Sequence, residues 1–361
     1  MRQSVFCAPP TQDVWERIAT TTRPIVIYGM GNGADKLLVR LAKIGKVPAA
    51  FFASDDFVRG QSFHGFPVLR FSDIQEKYEE PLILLSFATR QPDVIEALFS
   101  MAEAHALLMP DMAVAGDVDF DRAFFEEHRS KLLSVYDLLQ DKLSKQIFSD
   151  CISYKISGDI RFLKHAFSTQ EEEAGCLSSR AIHTAIDGGA YIGDTAAALL
   201  AQHPEVMRLM AVEPDARNHK RLAAYIEREE LLDRVTPVLG ALWSEEGVAH
   251  FSESGNRNSS LHAASYQFRD REVPLLTVDS LAEHAHIDYI KYDVEGAEAE
   301  ALLGSRKTIL RDHPLLAVSL YHRPQDLFAL PLWLHELDPT YHFYLRRPRC
   351  LPAWEMTLYA V

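Results

Sequence analysis

At 361 residues, 47% hydrophobic and 24% charged, the chain is too apolar for disorder and longer than one ordinary core requires; it suits two α/β domains of roughly 150–200 residues each. A formal net charge of −14 argues against a broad cationic surface for nucleic-acid phosphates and favours small or neutral substrates. The amino-terminal stretch soon meets Asp13 and Glu16, and no later stretch approaches about 18 uninterrupted apolar residues, so a soluble, cytoplasmic protein without membrane insertion is expected.

From Pro24, the β-rich run Ile25-Val26-Ile27-Tyr28 ends in Gly29-Met30-Gly31-Asn32-Gly33-Ala34, after which Leu37, Leu38, Leu41 and Ala42 recur at helical spacing. Apolar runs at 47–53 and 82–87, with a helical stretch at 73–78 between them, complete a βαβαβ outline. Residues 121–164 turn to charged helical sequence almost without glycine, and Glu171-Glu172-Glu173 with Gly175 predicts an exposed loop. A second α/β pattern follows: strands at 181–186, 207–212, 235–242, 287–292 and 315–320, with helices at 196–202, 219–230, 298–310 and 326–337. Runs at 342–345 and 356–361 are expected to pair as antiparallel edge strands. The fold class is therefore α/β, two doubly wound domains joined by helices. Residues 1–120 form a Rossmann-like domain, 121–180 a helical connector, and 181–361 a second domain whose sheet ends in an antiparallel pair. Cys7, Cys151, Cys176 and Cys350 lie far apart with no Cys-x-x-Cys, which predicts reduced thiols.

In open α/β sheets ligands bind beyond the carboxyl ends of the strands, so the turns carry the chemistry. The sharpest is Asp187-Gly188-Gly189-Ala190-Tyr191-Ile192-Gly193-Asp194-Thr195. Its glycines permit positive φ and close ligand approach, and the amides of the following helix offer donors. A dinucleotide fingerprint starting at Gly188 would need glycine at position 190, where alanine stands. A ligand with a carboxylate, an amine and a nucleoside but no pyrophosphate fits better, with Glu213 at the next strand end placed to grip two ribose hydroxyls. S-adenosylmethionine is such a ligand. The plain alternative is that the glycines only pack helix against strand and Glu213 is a solvated strand end.

This turn, followed in order by Glu213-Pro214-Asp215, Thr277-Val278-Asp279-Ser280-Leu281, Lys291-Tyr292-Asp293-Val294-Glu295-Gly296-Ala297-Glu298 and Tyr321-His322, resembles the FkbM family of S-adenosylmethionine-dependent methyltransferases over about residues 150–361. The resemblance implies a class I methyltransferase fold and methylation of an oxygen on a sugar, a glycan or a secondary metabolite. It implies that Asp187, Gly189 and Gly193 border the methionine end of the cofactor, with Asp194 and Thr195 nearby, that Glu213 takes the ribose, and that Gly240 to Trp243, Leu242 included, lies near the adenine.

Methyl transfer to oxygen requires in-line alignment, exclusion of water and a destination for the hydroxyl proton. Asp293 ends the strand beside the cofactor turn, and Glu295, two residues on, returns to the same side of an extended chain. One of the pair could serve as base with a raised pKa, or the two could hold a divalent cation that acidifies the acceptor hydroxyl. His322 ends the next strand and is the leading histidine for general base, whereas His284-x-His286 lacks a third ligand for zinc. Glu298 reads equally as a helix-dipole partner. Asn256, Asn258, Ser259 and Ser260 form a polar loop that reads as a plain turn.

Gly29-x-Gly31-x-x-Ala34 fits the dinucleotide fingerprint, and Asp55 stands where a ribose-binding acid belongs. Residues 50–69 also resemble the N-terminal domain of sugar O-acetyltransferases that act on nucleotide sugars. Residues 24–110 are thus expected to bind a nucleotide-linked or sugar-like acceptor, or to serve as an assembly module in a homo-oligomer. The readings that compete with a methyltransferase are an NAD-dependent oxidoreductase built on this first turn and a non-catalytic, nucleotide-sugar-binding scaffold.

Overall fold

The computed structural model describes residues 5–116, 118–252 and 270–361; the polar loop at 256–260 lies outside them. In the N-terminal half, α1 (Val14–Thr20) precedes β1 (Ile25–Tyr28), α2 (Asn32–Lys43), β2 (Ala50–Phe52), β3 (Ser62–Phe63), β4 (Phe66–Leu69), α3 (Phe71–Lys77), β5 (Leu82–Leu85), α4 (Pro92–Ala104) and β6 (Leu107–Leu108). The sheet order is β3-β4-β2-β1-β5-β6, parallel except for the short β3–β4 pair. Its central strands are continuous apolar runs because both faces are covered: Ile25 and Ile27 enter one core and Val26 the other.

The middle of the chain forms α5 (Arg122–Leu138), α6 (Lys142–Ser157) and α7 (Gln170–Leu177). Phe148 and Ile152 of α6 share one buried cluster with Val26 and Ile83 of the first sheet and with Ile186 and Val318 of the C-terminal half. The helices read as a connector therefore also fill the space between two sheets. Two polar groups of α6 drawn into this core have partners there: Lys155 pairs with Asp111 at 2.6 Å and Ser149 accepts from the Val5 amide. The exposed loop expected at 171–175 is instead helix α7. Thr169 accepts from the Glu172 amide and Glu172 returns the bond to the Thr169 amide, a capping box that outweighs the local charge run.

The C-terminal half continues with β7 (Thr184–Gly188), α8 (Asp194–Gln202), β8 (Arg208–Glu213), α9 (Ala216–Arg228), β9 (Val235–Leu239), β10 (Ala241–Leu242), β11 (Gly247–Ser252), β12 (Asp270–Leu276), α10 (Val278–Leu281), β13 (Tyr289–Tyr292), α11 (Glu298–Leu303), α12 (Arg306–Asp312), β14 (Leu315–Ser319), α13 (Asp326–Leu337), β15 (Phe343–Arg346) and β16 (Thr357–Ala360). The order of its seven-stranded sheet is β15-β16-β14-β13-β7-β8-β9, parallel from β14 to β9, with β16 antiparallel to both neighbours. The expected antiparallel pair is present, but only β15 is an edge. Two expected elements are broken. The run at 235–242 divides at Gly240, after which β10 leaves to pair with β12 in a separate three-stranded sheet. The helix expected through 310 divides near Gly304, where a Cβ would stand 1.9 Å from the Trp243 carbonyl oxygen, and Asp279 accepts from the Thr308 amide at 2.8 Å to start α12 afresh. Among the described residues no helix is long and apolar enough to cross a membrane, and all four cysteines are free thiols.

Candidate active site

The turn after β7 is built by backbone hydrogen bonds. The Gly189 and Ala190 amides both reach the Val212 carbonyl at 3.0 Å, binding the turn to the end of β8. Gly189 has φ +81°, and a Cβ there would lie 1.9 Å from the Asp293 carbonyl oxygen; Gly193, at φ +98°, packs against the Tyr225 ring. These glycines are thus required by packing, which is what the plain alternative proposed for them. Gly189→Ala is expected to lower the denaturant midpoint, with about 1–2 kcal/mol from the left-handed backbone alone and more from the displaced Asp293 carbonyl; equilibrium unfolding of the variant checks this.

Glu213 does not fit the plain alternative, because it is buried rather than solvated. Its carboxylate accepts from the Tyr191 and Asp215 amides, each at 2.9 Å, yet burial outweighs these bonds and pushes its pKa up to about 7. Asp187 is a buried anchor that accepts from the Thr195 hydroxyl and lies 3.3 Å from Lys291 Nζ. Asp194 opens α8 at the surface, and Leu242 is buried against the Gly188 backbone.

Beside this turn, β13 and β14 bring Asp293, Glu295 and His322 together. Asp293 receives bonds from the Ser319 hydroxyl at 2.9 Å and the Tyr321 hydroxyl at 3.1 Å. Although burial opposes ionisation, Lys291 at 3.5 Å and the nearby His322 hold its pKa down to about 2. Glu295 reaches the same side, but not through the expected extended chain: its φ is +54° and that of Gly296 +95°, a left-handed turn. His322, fully buried, lies among three carboxylates, with Nδ1 2.9 Å from Glu298 and Nε2 3.5 Å from Glu295 and 3.7 Å from Asp293. Burial alone would depress its pKa, but the anions, Glu298 foremost, raise it to about 10. Burial lifts Glu295 to about 7, with His322 opposing and Asp293 adding to the rise. Two neighbouring carboxylates thus have widely separated pKa values around one imidazolium.

Sequence reasoning gave no role to Lys291, Ser319 or Tyr321, and it left Glu298 undecided. Lys291 and Tyr321 stood inside quoted motifs, so their position was the available signal; Ser319 had none beyond lying near the end of an expected strand. Glu298 is in the first turn of α11 but wholly buried, and it also accepts from the Val294 amide at 2.9 Å. Among the described residues, Asp293, Glu298 and His322 form a set able to hold a metal ion, their ligand atoms lying within 4.8 Å of one another. His284 and His286 are exposed, the latter against Asp288 and Asp312.

The N-terminal half closes over this corner. The Ala115 amide donates to the His322 carbonyl at 2.9 Å, and a Cβ on Gly296 would meet that of Ala115 at 2.7 Å. A cleft of ≈ 840 Å³ lies between the halves, with Glu295 in one wall and the first glycine turn in the other. Asp55 is exposed and does not line it.

A chain with this sheet order, glycine turn and acidic strand end has a methyltransferase-like, two-domain α/β fold. Residues 187–341 match the family model described as the methyltransferase FkbM domain. Among solved structures, the chain is similar to a methyltransferase FkbM from Methylobacillus flagellatus KT, at 20% identity and a TM-score of 0.72 over 98% of this chain and 94% of that one. The N-terminal sheet is therefore part of the shared fold. Fainter similarity reaches a precorrin-6y C5,15-methyltransferase from Geobacter metallireducens (13% identity, 55% of this chain, 91% of that one, TM-score 0.34) and fibrillarin from Aeropyrum pernix with bound S-adenosyl-L-methionine (14%, 53%, 74%, 0.31). No curated protein matches the chain.

Proposed function

We propose that this protein is an S-adenosylmethionine-dependent O-methyltransferase acting on a hydroxyl of a sugar, glycan or secondary metabolite. The observation that carries the reading is the carboxylate pair gathered around His322 beside the glycine turn, with Asp293 held low by Lys291 and His322 and Glu295 raised by burial to about 7. S-adenosylmethionine supplies an electrophilic methyl group on a sulfonium. Its fit here rests on Glu213, a buried carboxylate whose spare lone pairs suit a ribose diol. Asp187, Gly189, Gly193, Asp194 and Thr195 border the methionine end, and Leu242 underlies the adenine side. Glu295 takes the acceptor's proton, a task for which a pKa near the working pH is best. His322 is protonated by its neighbours, so the base role expected of it passes to Glu295; the imidazolium instead offsets the charge Glu295 and Asp293 bring into a partly dry corner.

Calorimetric titration with S-adenosylmethionine tests the cofactor assignment. Glu213→Ala should weaken binding about tenfold or more, since each hydrogen bond to a charged group contributes about 1.5–3 kcal/mol. Turnover at saturating cofactor should fall much less. Equal affinity in the variant and the parent would remove Glu213 from the cofactor site. A second reading, a divalent cation on Asp293, Glu298 and His322, is favoured by the convergence of their ligand atoms; it predicts loss of activity in a chelator and return with magnesium.

A further inference from the structure

The cleft between the halves is larger than a simple hydroxyl compound needs, and its walls have unlike chemistry. Its N-terminal wall comes from the segments that follow β1, β5 and β6: Met30 and Asn32, Ser86 and Phe87, Met109 and Pro110. In the first sheet β1 lies between β2 and β5, so these segments flank the point where the strand order reverses and where doubly wound sheets bind ligands. The other wall holds Glu295, Arg323 and Trp354, two of which come from the turns after β13 and β14. Two sheets thus direct their carboxyl ends into one space of ≈ 840 Å³, within the range of small-molecule sites.

The lining also departs from the rest of the molecule in charge. In a chain of net charge −14, the charged side chains around the cleft, among the described residues, are Lys36, Arg323 and Glu295. Arg323 Nε is buried and meets no acceptor, the condition of a donor awaiting an anion. In the first glycine turn, between the lining residues Met30 and Asn32, Gly31 has φ +100° with open space where a Cβ would be, and α2 starts there without a side-chain cap. Gly33 differs, since a Cβ on it would strike the Ser86 carbonyl oxygen at 1.9 Å. One glycine therefore packs the helix and the other leaves room in front of the amides.

Resting on the methyltransferase reading above, we infer that the acceptor carries a phosphoryl group, held between the Gly29–Gly33 turn with Lys36 and the Arg323 guanidinium, while its hydroxyl lies at Glu295. Trp354 and Phe87 give the body of that acceptor an aromatic surface.

The test uses the full chain and two probes, inorganic pyrophosphate and uridine diphosphate, titrated with tryptophan fluorescence and calorimetry. Both probes are expected to bind, Lys36→Glu to weaken each at least tenfold, and Trp354→Phe to remove most of the fluorescence change. Tighter binding of uridine diphosphate marks a nucleotide-linked acceptor, and equal binding a simple phosphate ester; both support the inference. Absence of binding by either probe, undiminished binding to Lys36→Glu, or a signal surviving in Trp354→Phe overturns it. S-adenosylhomocysteine is titrated in parallel and should bind Lys36→Glu as it binds the parent. If it fails to bind the parent, the methyltransferase reading falls, whatever the anion result.

Discussion

Glu295→Gln is expected to reduce methyl transfer by about 10²–10⁴-fold, the usual contribution of a positioned acid or base, while S-adenosylmethionine affinity stays within about twofold. The substitution keeps the size and the left-handed turn but cannot accept the proton. In the parent enzyme the same role predicts a bell-shaped pH profile for kcat. The rate rises as pH is raised through about 7, where Glu295 gives up its proton, and falls as pH is raised through about 10, where His322 loses its own. Asp293, held near 2, stays ionised throughout. Single-turnover rates in buffers containing a chelator measure both limbs without a metal contribution. A flat profile between pH 6 and 8, the window that holds the Glu295 pKa of about 7, would take the base role from Glu295.

His322→Ala is expected to cost about 3–5 kcal/mol of stability, because it leaves Glu298 fully buried with no cation beside it. Loss of activity in that variant alone would not separate folding from catalysis. His322→Ala combined with Glu298→Gln removes both charges, keeps an acceptor for the Val294 amide, and should regain part of the stability while remaining inactive. The pH dependence has a definite sign. The folded pKa of His322, about 10, lies above its ordinary value of 6.5. Its contribution is therefore complete below about 6.5 and disappears as pH rises through about 10. Urea unfolding at pH 6, 8 and 10.5 follows this directly. A stability difference between parent and variant that persists undiminished at pH 10.5 would mean that the imidazolium–carboxylate contact is not its source.

Much of the fold was legible. The continuous apolar runs ending in Gly29 and Asp187 are strands covered on both faces, and the glycine turns follow them because strand must become helix within a few residues. What failed was local competition. The Glu171–Glu173 charge run looked like solvent-exposed loop, but Thr169 and Glu172 complete a capping box whose two bonds favour helix. Gly240 and Gly304 gave no warning that each would end an element, because the reason is contact with remote backbone or side chains.

Which residues stand at the strand ends was written in the residue order, since period and punctuation reveal where strands stop. Asp293, Glu295, His322 and Glu213 were all found that way, and the structure brings the first three into one corner. Their roles were decided only by tertiary structure, because protonation depends on burial and on charges supplied by other parts of the chain. His322 became a cation through Glu298, just beyond the turn that Asp293 begins, and Glu295 became the titrating group through desolvation. The cleft likewise had no local signal. It exists because α6 packs both sheets into one core and because Ala115 seats the first half on the His322 carbonyl, a contact between residues about 200 positions apart.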